Sequence, residues 1–475
     1  MFLERAALAA VGVSLESWLS GCASDSAPRD AARMPFDPNK PWWLQNNFAP
    51  VMDELDAFDL RVSGAIPAEL SGLYVRNGSN PQKSDSPHWF FGDGMLHGVR
   101  FERGKASWYR NRYVRTKLFV EGESFGSGEP PAGGANQSNV SVVWHAGKLL
   151  SSGEVGFPYE LDPASLETKG VFDFGGALTT SFTAHPKIDP VTGNLHYFGY
   201  WFVPPYLTYT VVSPTGQVLS NQEIGVAGPT MIHSFAITER DAVFWELPVV
   251  FDLDAALAGA DNPFRWDESY GARIGVMPLG GNAADMRWVE IPPCYVFHEV
   301  NAYRDGSDVV VDVCRHPDMF NGSDLGEKPN TIHRWRVDTS GTALRFTDEL
   351  IADLEFELPT HDRRYTGRQH RNGWFVTTRE NPNSVELAGI GHIDVASGQV
   401  ATWDPGATRH ADEAFFVPAG SAEGEGWLLS FVYDHSSDSS VLAVLDATRI
   451  AAGPVAQIHL PRRVPHGFHA VWIPD

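Results

Sequence analysis

The chain has 475 residues, 43% hydrophobic and 20% charged, with a formal net charge of −23. That negative charge repels polyanions and argues against nucleic acid as a partner. Its 45 Gly, 33 Pro and 12% aromatics favour short strands joined by tight turns, and its 3 Cys, with no CxxC, argue against a disulfide scaffold or a zinc–thiolate site.

Residues 1–35 differ from the rest. A basic residue precedes an apolar run that ends in Leu19-Ser20-Gly21-Cys22, a tetrapeptide similar to a bacterial lipoprotein cleavage box. Glu16 interrupts the apolar run, so two readings stand: export with a lipidated Cys22, or a short leader on a cytoplasmic protein. No other stretch approaches the roughly 18 apolar residues of a membrane span. Residues 36–475 are read as one domain.

Past the leader one pattern recurs: a β-rich run, a turn opened by Asp or Ser with Gly following, and a second β-rich run. It is found at 159–170, 186–200, 209–220, 333–346 and 391–403, with a degenerate copy at 441–450. Each predicts a hairpin, the Asp or Ser side chain bonding the turn and the Gly supplying positive φ. Hairpins repeated without intervening helices suggest an all-β propeller, although the irregular spacing does not give a blade count. The connections 113–139, 246–272 and 315–331 exceed hairpin loops and are expected to gather over a site. Cys294 and Cys314 lie in apolar strand-like runs and read as inert core thiols.

Four of the 17 His share a local setting: His185 in TAHPK, His233 in MIHSFAIT, His298 in VFHEVNAY and His469 in GFHAVW. An imidazole in an apolar strand either has a satisfied partner or binds metal. Separations of 48, 65 and 171 residues rule out a local metal clip and suit ligands delivered from different blades to one axis. Spacing alone does not choose these four among the 17.

The motifs do choose. NNFAPV (46–51), GLYVRNGSNPQ (72–82), HWFFGDGMLHGVRF (88–101), TAHPKIDPVTG, MIHSFAIT, PCYVFHEVNAY and the C-terminal VPHGFHAVWIPD run in order from end to end. Together they resemble the carotenoid cleavage oxygenase family over about residues 40–475. Ser79 stands where that family usually has proline, and Ala470-Val471 departs from its usual ending.

The resemblance implies a seven-bladed β-propeller roofed by loops and short helices over an axial iron site. It implies one Fe(II) per chain, held by His185, His233, His298 and His469, with O2 as co-substrate. Three glutamates stand behind the ligands in this family. The matching positions are Glu154, Glu357 and Glu413, although the usual EFPR-type motif after the second reads Glu357-Leu358-Pro359-Thr360 here. A ligating imidazole needs an acceptor for its other N–H, and a carboxylate there fixes tautomer and ring orientation. The expected pairs are Glu154 with His233, Glu357 with His298 and Glu413 with His469, leaving His185 without a glutamate. His88 and His97 are not ligands, and His316, His361, His370, His410, His435 and His459 are expected at the surface.

The implied reaction adds O2 across one C=C of a hydrophobic alkene and leaves two carbonyl fragments. Phe90, Tyr113, Trp201, Phe202 and Phe297 are candidates to line the substrate tunnel. Family members that cleave stilbenes grip a phenol with a tyrosine and a lysine. Tyr113 matches that tyrosine, but no lysine precedes GGANQSN (133–139). A carotenoid or apocarotenoid is therefore favoured over a stilbene or phenylpropene. Peripheral membrane contact stays open because polyenes partition into lipid. A propeller that binds a ligand without catalysis is the remaining alternative, and it predicts loss of one or more ligands.

Overall fold

A computed structural model describes residues 36–122, 136–258, 260, 262–321, 329–379 and 386–475; the leader with Cys22 lies outside them. The strands form seven blade sheets of four to six strands and one extra two-stranded ribbon. Blades 2 to 6 are simple four-stranded meanders, taken in chain order. Their innermost strands are Ser141–His145, Lys187–Ile188, Ala236–Ile237, Tyr295–Asp305 and Phe356–Thr360.

Both ends of the described chain close the ring. Blade 1 is built on Gly72–Ser79 and takes the C-terminal strand Ala470–Pro474 as its inner edge. Blade 7 is built on Gly426–Asp434 and takes the early strand Val62–Gly64 beside Pro454–His459. The segment that carries His469 is thereby pulled back to the start of the propeller. Gly78 and Gly467 allow the approach: a Cβ on Gly78 would meet the Gly467 Cα at 2.7 Å, and one on Gly467 would meet the Arg76 guanidinium at 2.8 Å.

Each neighbouring pair of blades shares an apolar cluster. Leu73 and Val75 of blade 1 meet Val142 and Leu149 of blade 2. Val143 and Leu150 then meet Leu195 and Tyr197 of blade 3. One large cluster joins blades 3, 4 and 5 through Tyr209, Phe244 and Trp335. Cys314 and Ile332 meet Phe375 and Ile393 of blade 6. Trp374 meets Leu428 of blade 7, and Leu442 closes the circle on Tyr74 of blade 1. Middle strands are covered on both faces, so Leu207–Val212 and Asp241–Glu246 are buried throughout. Outer strands such as Val218–Glu223 alternate between part-buried and exposed residues. Burying a Leu, Val or Phe side chain is worth about 1.5–3 kcal/mol, so these interfaces hold the ring.

The six turn motifs all join antiparallel neighbours within a blade. Asp162 Oδ1 accepts the Ala164 N–H at 2.8 Å, Asp189 Oδ1 that of Val191 at 2.9 Å and Asp338 Oδ1 that of Ser340 at 2.8 Å. Gly193, Gly216 and Gly398 take φ of 70°, 86° and 70° in three of these turns. Cys294 and Cys314 are buried and free, and burial pushes the Cys294 thiol up to about 12. Among the described residues no helix is long and apolar enough to cross a membrane.

Candidate metal centre

The four histidines converge on the propeller axis, each from the start of an innermost strand. His185 lies two residues before Lys187–Ile188 of blade 3, and His233 three before Ala236–Ile237 of blade 4. His298 sits inside Tyr295–Asp305 of blade 5, where the pairing slips between Val296 and Glu299. That bulge turns its ring out of the regular alternation. His469 immediately precedes Ala470–Pro474; its N–H donates to Val140 O at 3.0 Å and its carbonyl accepts the Asn77 N–H at 3.1 Å.

One nitrogen from each ring lies within 4.8 Å of those of the other three. His185 Nε2 and His233 Nε2 are 2.9 Å apart. Three of the four Nδ1 atoms face carboxylates. His298 Nδ1 is 2.6 Å from Glu357 Oε2, and His469 Nδ1 is 2.8 Å from Glu413 Oε1. His233 Nδ1 is 2.8 Å from Glu154 Oε2, close but off the line of the ring N–H and so the loosest of the three. A carboxylate that accepts a hydrogen bond from Nδ1–H fixes the neutral tautomer in which Nε2 carries a bare lone pair. His298 Nε2 is such an atom, buried and without a hydrogen-bond partner.

Electrostatics favour neutral rings. Burial pushes His298 down to about 4, with Glu357 opposing that shift. Burial, then the other three rings, holds His185 well below the usual histidine range. Four imidazoles around one point fit a divalent transition metal, iron among them, and the cluster can hold such an ion.

The carboxylates are themselves braced. Glu154 Oε1 accepts the Tyr200 hydroxyl at 3.0 Å, and Glu413 Oε2 accepts the Ala470 N–H at 3.1 Å. Glu357 Oε1 lies 2.8 Å from His316 Nε2. Burial acts to raise the Glu357 carboxyl, but the two rings beside it outweigh burial and hold it below the carboxylate range. Beside Glu413, the buried Asp412 pairs with Arg76 and lies 2.8 Å from His466 Nδ1, which ties the C-terminal segment to blades 1 and 7.

A cavity of about 220 Å³ opens on His233, His298 and His469, walled by Trp89, Phe90, Phe91, Phe202, Phe297 and Phe320. All three long connections contribute to it: Gln137 and Asn139, then Asn262 and Phe264, then His316, Met319 and Asn330. The HWFFGDGM motif supplies a short 3-10 turn, Trp89–Phe91, capped by His88, that carries its aromatics into the wall.

Phe90, Phe202 and Phe297 thus lie where substrate-lining residues were sought, whereas Tyr113 and Trp201 do not line this cavity. Tyr113 is spent on structure: its buried hydroxyl meets Asn80 Nδ2 at 2.7 Å and Val51 O at 3.3 Å. Trp201 packs against Phe202 at 4.7 Å and backs the wall. The surface assignment also fails for three histidines. His316, His370 and His410 are 8%, 4% and 1% exposed. His316 meets Glu357, His370 faces Asp312 at 3.4 Å, and His410 Nδ1 meets Leu387 O at 2.9 Å. His361, His435 and His459 are part-exposed.

Sequence reasoning missed Tyr200 and His316. Tyr200 lies in a strand buried throughout, Leu195–Tyr200, where nothing marks one tyrosine from another. His316 precedes Pro317-Asp318, which made it look solvent-facing.

The propeller and its axial histidine cluster define a class, and comparison with known proteins gives the family. The chain belongs to the carotenoid cleavage oxygenase family: residues 48–474 match the family model described as retinal pigment epithelial membrane protein. It is 33% identical to a carotenoid 9,10(9′,10′)-cleavage dioxygenase of Crocus sativus, over 99% of this chain and 96% of that protein. It is 35% identical to a carotenoid cleavage oxygenase of Mycobacterium tuberculosis, over 91% of this chain and 97% of that one. Among solved structures, the Pseudomonas brassicacearum lignostilbene dioxygenase superposes with a TM-score of 0.84 at 29% identity, covering 93% of this chain and 100% of that one.

Proposed function

We propose that this chain is an Fe(II)-dependent dioxygenase that cleaves one C=C double bond of a carotenoid or apocarotenoid, consuming O2 and releasing two carbonyl products. The observation that carries the reading is the placement of four buried imidazoles at the end of an aromatic cavity. His185, His233, His298 and His469 hold one iron per chain through their Nε2 atoms. Glu154, Glu357 and Glu413 fix three of those rings from behind and offset the ion's charge.

When bound, the iron supplies the activation of O2. The protein's own work is positional. Phe90, Phe202 and Phe297, with Trp89 and Phe91, hold an apolar alkene against the cluster and exclude water. Both atoms of O2 end in the products, one in each carbonyl, so the reaction needs no acid, base or nucleophile from the chain.

A stilbene or phenylpropene is the second reading. It is supported by the TM-score of 0.84 to a lignostilbene dioxygenase. Incubating iron-loaded enzyme with β-apo-carotenals and, separately, resveratrol decides between the two. Carbonyl fragments from the apocarotenal are expected in the product analysis. Cleavage of resveratrol alone would overturn the substrate, and cleavage of neither by iron-loaded protein would overturn the activity.

A further inference from the structure

His316 stands outside the four-histidine cluster, yet it touches both the cluster's support and the cavity. Its side chain is 10% exposed and lies in the cavity wall. It ends the strand Asp308–His316, across from Tyr295 on the strand that carries His298. Its Nε2 lies 2.8 Å from Glu357 Oε1, while Glu357 Oε2 lies 2.6 Å from His298 Nδ1. One carboxylate is therefore gripped at both oxygens by rings, one in the cluster and one in the wall. An ionised carboxylate only accepts, so the hydrogen between them is donated by His316 Nε2. Phe297 packs edge-on against His316 at 5.6 Å and against His233 at 5.2 Å, so one wall residue bears on His316 and on a ring of the cluster at once.

The three carboxylates differ in this respect. Glu413 is braced by a backbone N–H, Glu154 by the cavity-lining Tyr200, and Glu357 by both kinds of partner: its Oε2 accepts the Leu358 N–H at 2.7 Å and its Oε1 is held by His316. Bracing from the wall makes a carboxylate oxygen sensitive to whatever fills the cavity, and for Glu357 that oxygen is Oε1.

We propose that His316 is a positioning residue that couples the cavity to the metal: it fixes Glu357, and through it the ring of His298, so that an occupant of the cavity alters the geometry at that ligand. The inference rests on the reading of the cluster as an iron site.

The test compares native protein with His316→Phe, His316→Gln and His316→Asn. Each is iron-loaded, treated anaerobically with nitric oxide, and followed by electron paramagnetic resonance with and without a β-apo-carotenal. Iron release to a chelator is timed in parallel, and circular dichroism checks the fold. The native signal is expected to change when the apocarotenal is added. His316→Phe should shift the resting signal, lose that response and release iron about tenfold faster or more, as removal of a ligand's supporting partner does. The Gln amide nitrogen replaces Nε2 and should restore both properties. The Asn amide is too short to reach Glu357 and should behave like Phe, which carries the test if the Phe variant does not fold.

A native signal unmoved by the apocarotenal, variants that match native protein, or a Gln variant no better than Asn would each overturn the coupling. Failure of the native chain to take up iron would instead overturn the reading of the cluster, and the inference with it.

Discussion

Two cavities meet at the four histidines, and their walls differ: one is aromatic, the other mixes polar and aliphatic residues. Residues just before the ligands in sequence, Met231, Phe297 and Phe468, line the first, with Trp89, Phe90 and Phe202. Residues just after them, Pro186, Lys187, Ser234 and Glu299, line the second, with His361 and Arg363. The two cavities share only His298 and His469. The inner strands thus cross the cluster from an apolar side to a polar one, and the same histidines face both. The polar side, of about 280 Å³, suits water and ions; the aromatic side suits a desolvated alkene. The proposed cleavage is accordingly expected on the aromatic side of the cluster.

That division can be broken at its shared element first. His298→Ala removes a group common to both cavities. It is expected to abolish iron binding and lower kcat/KM by on the order of a hundredfold or more, read by metal analysis and steady-state kinetics. Glu357→Gln keeps the ligand but loses the anionic acceptor behind it, and iron affinity should fall about 10–100-fold in a chelator competition.

The next effect separates the two sides. Phe297→Ala on the aromatic side should lower kcat/KM for an apocarotenal by about tenfold while iron is retained, since it removes packing against the substrate and not a ligand. Arg363→Met on the polar side, where the guanidinium lies 4.4 Å from the Phe415 ring, should change kcat/KM by no more than about twofold. The reverse ranking would place the substrate on the wrong face.

Acid gives the smallest effect near neutrality. Burial lowers His298 from 6.5 to about 4, so the folded ring resists protonation while the unfolded chain takes up a proton. Stability is therefore full above about 6.5, and it falls as the pH drops through the window toward 4. The thermal midpoint should be flat from about pH 8 to 7 and decline below about 6. A loss on raising the pH over that range would contradict the neutral, buried rings.

The sequence made the fold and the cluster legible for different reasons. Hairpin turns announce themselves locally, because an Asp or Ser bond and a Gly are enough to specify them. The blade count did not, because blades 1 and 7 are completed by strands from the far end of the chain, Ala470–Pro474 and Val62–Gly64. Blade 4 also carries a long insertion with the ribbon Val249–Phe251 and Phe264–Trp266. The histidines were marked by motif, whereas their separations alone left the choice open. The walls were least legible. Tyr113 and Trp201 are aromatics in motif or loop positions, yet the structure spends both on packing. His316 reads as surface until the strand Asp308–His316 is seen to bring it against Glu357.

Crystals of iron-loaded protein, measured on both sides of the iron absorption edge, would locate the metal. A single anomalous peak among the Nε2 atoms of His185, His233, His298 and His469 is the predicted result. Bound iron with its peak anywhere else, or no peak among these four rings in protein that turns over, would contradict it.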